Sequence, residues 1–271
     1  MSMSKQIGAV ALAVTVLMAG AAFGQIRGTV ITSNAEHTGT IKWKPREKAY
    51  EVTIKEKDKD TERVVEHALA TVIELKIPKP KDLTTAENHI RDGQPGAAIP
   101  LLKKIATDYL MLTWDKPATR LLADALLKSG DHEEAIKVCE TVIRADEQAG
   151  YIGEVAPIYW QALQKAGKTG KVEDLMAKAI KSGDRTASAS ALNMRGDLIL
   201  ATGDTNENAK KALRDGFLRV VTLYANERTV RPEALYKAAK CFEKIGQTPR
   251  ADAFRSELKR DFAGTEWASK P

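Results

Sequence analysis

Cysteine, histidine and aromatic residues are scarce in this 271-residue chain, and each scarcity excludes something. Its two cysteines, Cys139 and Cys241, lie 102 positions apart in the apolar stripes of two different helical stretches. A disulfide framework and a C-x-x-C redox or zinc motif are therefore excluded, and both thiols are expected to be buried packing groups. The four histidines, His37, His67, His89 and His132, have no metal-ligand companion at a helical or loop spacing, and no H-E-x-x-H motif occurs. Phosphate-binding glycine loops, dinucleotide fingerprints and the G-x-S-x-G elbow are missing too. No metal, no cofactor and no catalytic constellation is expected. Neither sign of charge dominates: 42 basic and 36 acidic residues give +6, and they are interspersed. That describes a mixed solvated surface, not a nucleic-acid-binding stripe.

Beyond the first 24 residues no long apolar run exists. Residues 1–24 combine Lys5, an apolar stretch from Ile7 to Met18, and small residues around Ala22-Phe23-Gly24. They read as a secretory signal peptide cut before Gln25, which leaves no stable membrane span and predicts an exported protein.

Between Ile26 and Ile77 the apolar residues recur with a period near two, punctuated by turns. Ile26–Ser33, Thr38–Lys44, Ala49–Lys55 and Thr71–Ile77 are expected as strands, with Val30, Ile41, Trp43, Tyr50, Val52, Ile54, Val72 and Leu75 turned inward. Four or five short strands in so small a span favour a curled sheet or a partly open barrel, and the sequence GTVITSNAEHTGTIKWKPREKAYEV resembles small SH3-like or Sm-like barrels, which implies a barrel-like module over residues 25–80. Trp43 and Tyr50 are core rings in this reading. The alternative gives the module a role in glycan or peptidoglycan recognition. Ile77-Pro78-Lys79-Pro80-Lys81 is a stiff boundary, because each proline disfavours helix in the residue before it.

From residue 81 to 271 the period changes. The stretch DKPATRLLADALLKSGDHEEAIKVCETVIRAD predicts two amphipathic helices folded back at Gly130, with Asp131 and Glu134 forming a capping box for the second. The unit recurs: Gly93, Gly130, Gly167, Gly203 and Gly246 are separated by 37, 37, 36 and 43 residues. Seven positions before these glycines stand Ala86, Ala123, Trp160, Gly196 and Ala239, and four before stand His89, Leu126, Leu163, Ile199 and Phe242. Small residues suit helix crossings and large ones fill the gaps between them, and Trp160 requires a different packing in the third unit. The fourth loses the pattern at Asn208 and Asp215, and Ala209, Ala212, Phe217, Val220 and Val221 restore a stripe in a lengthened hairpin.

ADALLKSGDHEEAIKVCETVI and ALYKAAKCFEKIGQTPRADAFRSEL, the latter followed by DFAGTEWA, resemble the tetratricopeptide repeat family and its exported bacterial envelope members. The resemblance covers Leu83 to Lys270. It implies a mainly α chain: a superhelix of about five hairpins, capped at one end by the β module and at the other by the charged helix Pro249–Asp261. It also implies a non-enzymatic scaffold in the periplasm or cell envelope, working through a protein or peptide partner held by the first helix of each hairpin. The groove residues implied are Arg120, Asp124, Gln161, Asn193, Asp197, Tyr236 and Lys240.

Overall fold

The computed structural model describes residues 25–55 and 61–270, so the expected signal peptide lies outside the described residues. Five antiparallel strands come first: β1 (Arg27–Thr32), β2 (Glu36–Lys44), β3 (Ala49–Lys55), β4 (Glu62–Ala68) and β5 (Val72–Lys76), in the order β4-β3-β2-β1-β5. Of the two forms expected, a curled sheet or a partly open barrel, the module takes the open one: β4 and β5 form the two edges and do not pair with each other. Only the short helical turn Leu69–Thr71 joins them, and three residues reach about 10 Å at most. The sheet must therefore curl strongly, and its interior holds Val30, Ile41, Tyr50 and Val52, with Trp43, Ile54, Val72 and Leu75 packed around them.

β4 was not foreseen. ERVVEHA alternates poorly, and as an edge strand it buries only His67. β5 joins β1 through a bulge at which Val72 opposes Thr32 and Glu74 opposes Ile31. The extra residue is Ile73. Its insertion lets Val72 and Leu75, three apart, both pack inward, and leaves Ile73 70% exposed.

Twelve helices follow. The hairpins are α1 (Lys81–Arg91) with α2 (Pro95–Asp108), α3 (Asp115–Lys128) with α4 (His132–Ala145), and α5 (Val155–Lys165) with α6 (Thr169–Lys181). Next come α7 (Arg185–Ala201) with α8 (Asn206–Ala212) and α9 (Leu218–Leu223), then α10 (Arg231–Lys244) with α11 (Thr248–Asp261), and the single turn α12 (Glu266–Ser269). Four of the five glycine turns share one mechanism. Gly93, Gly130, Gly167 and Gly246 have φ between 74° and 82°, where a side chain would be strained. The residue after each donates its N–H to the carbonyl five positions back: Gln94 to His89, Asp131 to Leu126, Lys168 to Leu163 and Gln247 to Phe242, at 2.8 to 2.9 Å. The expected capping box is not made: Asp131 forms no side-chain cap, and Glu134 turns to Lys103 at 3.0 Å.

The fourth turn differs. Gly203 has φ 153°, and the Asn208 amide closes the turn by donating to the Gly203 carbonyl (2.8 Å) and to Thr202 Oγ1 (3.0 Å). The polar residue that breaks the sequence pattern is thus the one that replaces the backbone motif. The following helix contains a π turn, Leu213–Phe217, that brings Gly216 against α7. A Cβ on Gly216 would lie 2.8 Å from the Gly196 Cα and 2.9 Å from the Leu192 carbonyl. Gly216→Ala is expected to destabilise by about 1–3 kcal/mol through overpacking, measured as a lower urea midpoint. An unchanged midpoint would show that the two backbones separate freely.

The helices bury three apolar clusters. One runs from Leu83 on α1 to Met194 on α7, and two others join α7–α9 to α10–α12. Within the first, Trp160 is 0% exposed and donates its indole N–H to the Gly150 carbonyl at 2.9 Å, tying α5 to the turn Glu147–Gly150 between α4 and α5. The sheet docks on the link between α2 and α3, where Leu112 enters the sheet core. Met111 and Thr113 in that link have φ of 62° and 74°, and the buried Asp115 carboxylate accepts the Met111 N–H at 2.8 Å. Burial raises the Asp115 pKa above its ordinary range, against the pull of those backbone N–H groups. Two hydrogen bonds complete the joint: Tyr50 to the Met111 carbonyl (3.0 Å) and Trp114 to the Ile77 carbonyl (2.9 Å).

Candidate functional site

Successive first helices, α1, α3, α5, α7 and α10, touch one another, whereas the second helices of neighbouring hairpins meet less extensively. The first helices therefore form the inner, shorter row of the array. All seven expected groove residues lie on this row, in two separate settings.

On α3, Arg120 is exposed and pairs with Glu154 at the start of α5 (3.2 Å), while Asp124 pairs with Lys128 one turn on (2.7 Å). Gln161 is half-buried on α5. These three are not drawn into one cluster with the rest.

The second setting is built between α7, α10 and α12. Lys237 reaches both Asp197 and Glu233 at 2.6 Å, with its side chain only 18% exposed and theirs 21%. Burial pushes the Asp197 carboxyl above its ordinary range, an effect that Lys237 reduces without cancelling. Asn193 corrects the sequence expectation. It is 2% exposed, and its amide N–H groups go to the Val230 carbonyl and Glu233, each at 3.3 Å, so it joins α7 to α10 and is not a groove surface residue. Tyr236 packs on Trp267 with ring centroids 5.6 Å apart. The Lys237 and Lys270 ammonium groups lie 5.7 and 3.5 Å from the Trp267 centroid, and exposed Lys240 lies 5.9 Å from that of Tyr236. Sequence reasoning missed Glu233, Lys237 and Trp267. The first two are an i, i+4 acid–base pair on α10, a signal that was available.

Elsewhere the curl of the sheet places His37 Nδ1 2.9 Å from His67 Nε2, a pairing that sequence spacing did not show. Burial lowers the His67 pKa, and His37 adds to the effect. Among the described residues no group of three or more potential ligands is arranged around a metal position. Cys139 and Cys241 are both buried and free, their thiols pushed up by burial to about 12 and about 11, far from the thiolate range that reactivity needs. None of the described helices is long and apolar enough to cross a membrane.

Residues 89–153 match one tetratricopeptide repeat family model, and residues 233–264 match another. No curated protein matches the chain. Two solved structures of nearly identical tetratricopeptide-like repeats, from a Podosopora anserina protein assigned as a kinesin light chain, are similar. A point variant gives 18% identity over 66% of this chain and 91% of that chain, with a TM-score of 0.41. The other gives 18% identity over 68% and 95%, with a TM-score of 0.39. The helical part of the chain is an array of tetratricopeptide-like repeats, and two stretches of it, one spanning α2 to α4 and one spanning α10 and α11, match the family itself.

Proposed function

We propose that the chain is an exported, non-enzymatic scaffold that holds a protein or peptide partner along its inner row of first helices, in a bacterial periplasm or cell envelope. The observation that carries the reading is that row: five helices in mutual contact, presenting Arg120, Asp124, Gln161, Asp197, Tyr236 and Lys240 on successive layers. Tetratricopeptide repeats generally act through protein–protein contacts, and an extended peptide or partner helix suits such a surface. Export rests on Lys5, the apolar stretch Ile7 to Met18 and the small residues before Gln25. The glycan alternative places recognition in the β module, whose large aromatic rings are Trp43 and Tyr50. Those rings pack on each other at 4.9 Å, with Tyr50 buried in the sheet core, so the repeat array is the better candidate.

Affinity capture from envelope extracts with the full chain tests the reading. A specific protein is expected to be recovered, and to be lost with the double variant Arg120→Glu, Lys240→Glu, whose two sites are exposed and tolerate exchange. Equal recovery by the variant would overturn the groove assignment. Turnover of an envelope substrate by the purified protein would overturn the non-enzymatic one.

A further inference from the structure

β4 buries a single side chain, and that side chain is a histidine. His67, 9% exposed, meets half-buried His37 across the interior of the curled sheet, Nε2 to Nδ1 at 2.9 Å. The two do not lie on neighbouring strands. β2 changes partner at Thr40: residues 36–40 pair with β1 and residues 40–44 with β3, so His37 belongs to the β1 half of the sheet and His67 to the β4 edge. Their contact therefore closes the sheet on itself where β4 leads into the turn Leu69–Thr71, on the side where β4 and β5 do not pair.

Two imidazoles at this separation have room for one proton between the facing nitrogens. A neutral pair meets that condition. A pair with one added proton meets it too, because an imidazolium still donates to a neutral ring. A second added proton places an N–H on both facing nitrogens and sets two cations against each other, and the bond breaks.

The surroundings offer nothing to neutralise the second charge. Val30 opposes His37 on β1, and Tyr50 opposes His67 on β3. Burial pushes the Tyr50 hydroxyl up to about 12, so it stays neutral, and it donates to the Met111 carbonyl with Asp115 behind it. Val72, Leu75 and Leu112 complete the interior. Glu36 and Glu66, next in sequence to the histidines, alternate to the outer face, where Glu66 holds Lys44 at 2.5 Å. Arg63, on the inner face of β4 but four residues away, is exposed. Among the described residues, burial and His37 alone act on His67.

We propose that the His37–His67 pair is an acid-released latch, which holds the β4 edge to the β1 half of the sheet until both rings are charged and then lets it go. The closed sheet resists the second proton, whereas the opened sheet accepts it at the ordinary histidine value near 6.5. The latch is thus at full strength above that value and weakens as pH falls below it, the ratio of open to closed sheet rising by up to about tenfold per pH unit. Tyr50, the cross-strand neighbour of His67, makes the bond to Met111 that docks the sheet on the repeats, so release acts at that joint. The latch is separate from the inner row and stands or falls independently of the scaffold reading.

Hydrogen exchange of the full chain and of His67→Gln, followed from pH 7 to pH 5 and compared at each pH, tests the proposal. Both proteins share the titration of Glu66 and Asp115 and the chemistry of exchange, so these cancel. Exchange at β4 and the turn Leu69–Thr71 is expected to rise below pH 6.5 in the parent relative to the variant, by up to about tenfold per pH unit. Ring titrations followed by NMR give a second measurement that does not require the His67 variant to fold: in His37→Gln, His67 is expected to titrate at higher pH than in the parent. The same pH dependence at β4 in the parent and in His67→Gln, or a His67 titration that His37→Gln leaves in place, would overturn the proposal.

Discussion

Replacing Trp160 by alanine is expected to destabilise the protein by about 3–5 kcal/mol, among the largest effects a single core substitution produces. The indole is fully buried in the cluster shared by the first three hairpins. In the other units the equivalent position holds Ala86, Ala123, Gly196 or Ala239, so no side chain from a neighbouring layer is poised to fill the void. Deletion also removes the donor to the buried Gly150 carbonyl, and an orphaned polar group adds about 1–3 kcal/mol by itself. Urea unfolding gives the measurement, and Trp160→Phe separates the two contributions by restoring most of the volume without the N–H. A loss below about 1 kcal/mol for Trp160→Ala would show that the α4–α5 turn collapses onto the space.

Lys237→Ala is expected to cost about 3 kcal/mol near neutral pH, because it leaves Asp197 and Glu233 facing each other without their shared cation. The loss should shrink as the solution is acidified. Asp197 already has a folded-state pKa above its ordinary value, and removing Lys237 raises it further. Between that raised value and the unfolded value near 4, the folded state binds more protons than the unfolded one. Stability of the variant therefore climbs as pH falls through this window, and the gap to the parent narrows. Unfolding midpoints at pH 7.5 and pH 5 check it. An equal gap at both would mean that the carboxylates are solvated and the ammonium contributes little.

These two positions also show what sequence reading reached and what it did not. Trp160 stood out because it occupies a small-residue site, and the buried ring accounts for that departure. The hairpin period was legible because a left-handed glycine followed by a five-back hydrogen bond is a local motif, repeated four times. Asn208 marked the failing fourth unit for the same reason: a side chain there does what the backbone does elsewhere. The Glu233–Lys237 pair was legible as an i, i+4 spacing on α10, but its third member was not, because the contact with Asp197 depends on α7 and α10 meeting, which no local pattern records. Asn193 was misread as surface for the same cause. β4 escaped because an edge strand with one buried residue has no period to detect, and the His37–His67 contact arises only once the sheet curls. An open, curled sheet was legible from the number and length of the strands, whereas their order and register, which strand lengths alone do not fix, were not.

α7 carries one more consequence. It turns Ala187, Ala191 and Met194 toward the first three hairpins and Ala189 and Leu192 toward the last, and no other helix is shared between the two cores to a comparable degree. A row of units that touch only their neighbours bears tension in series. A pull on the two ends, such as a partner fixed at one end and an anchor at the other would exert, passes whole through this single helix. Its seventeen residues join the two cores, so under such a load the array is expected to part first along α7.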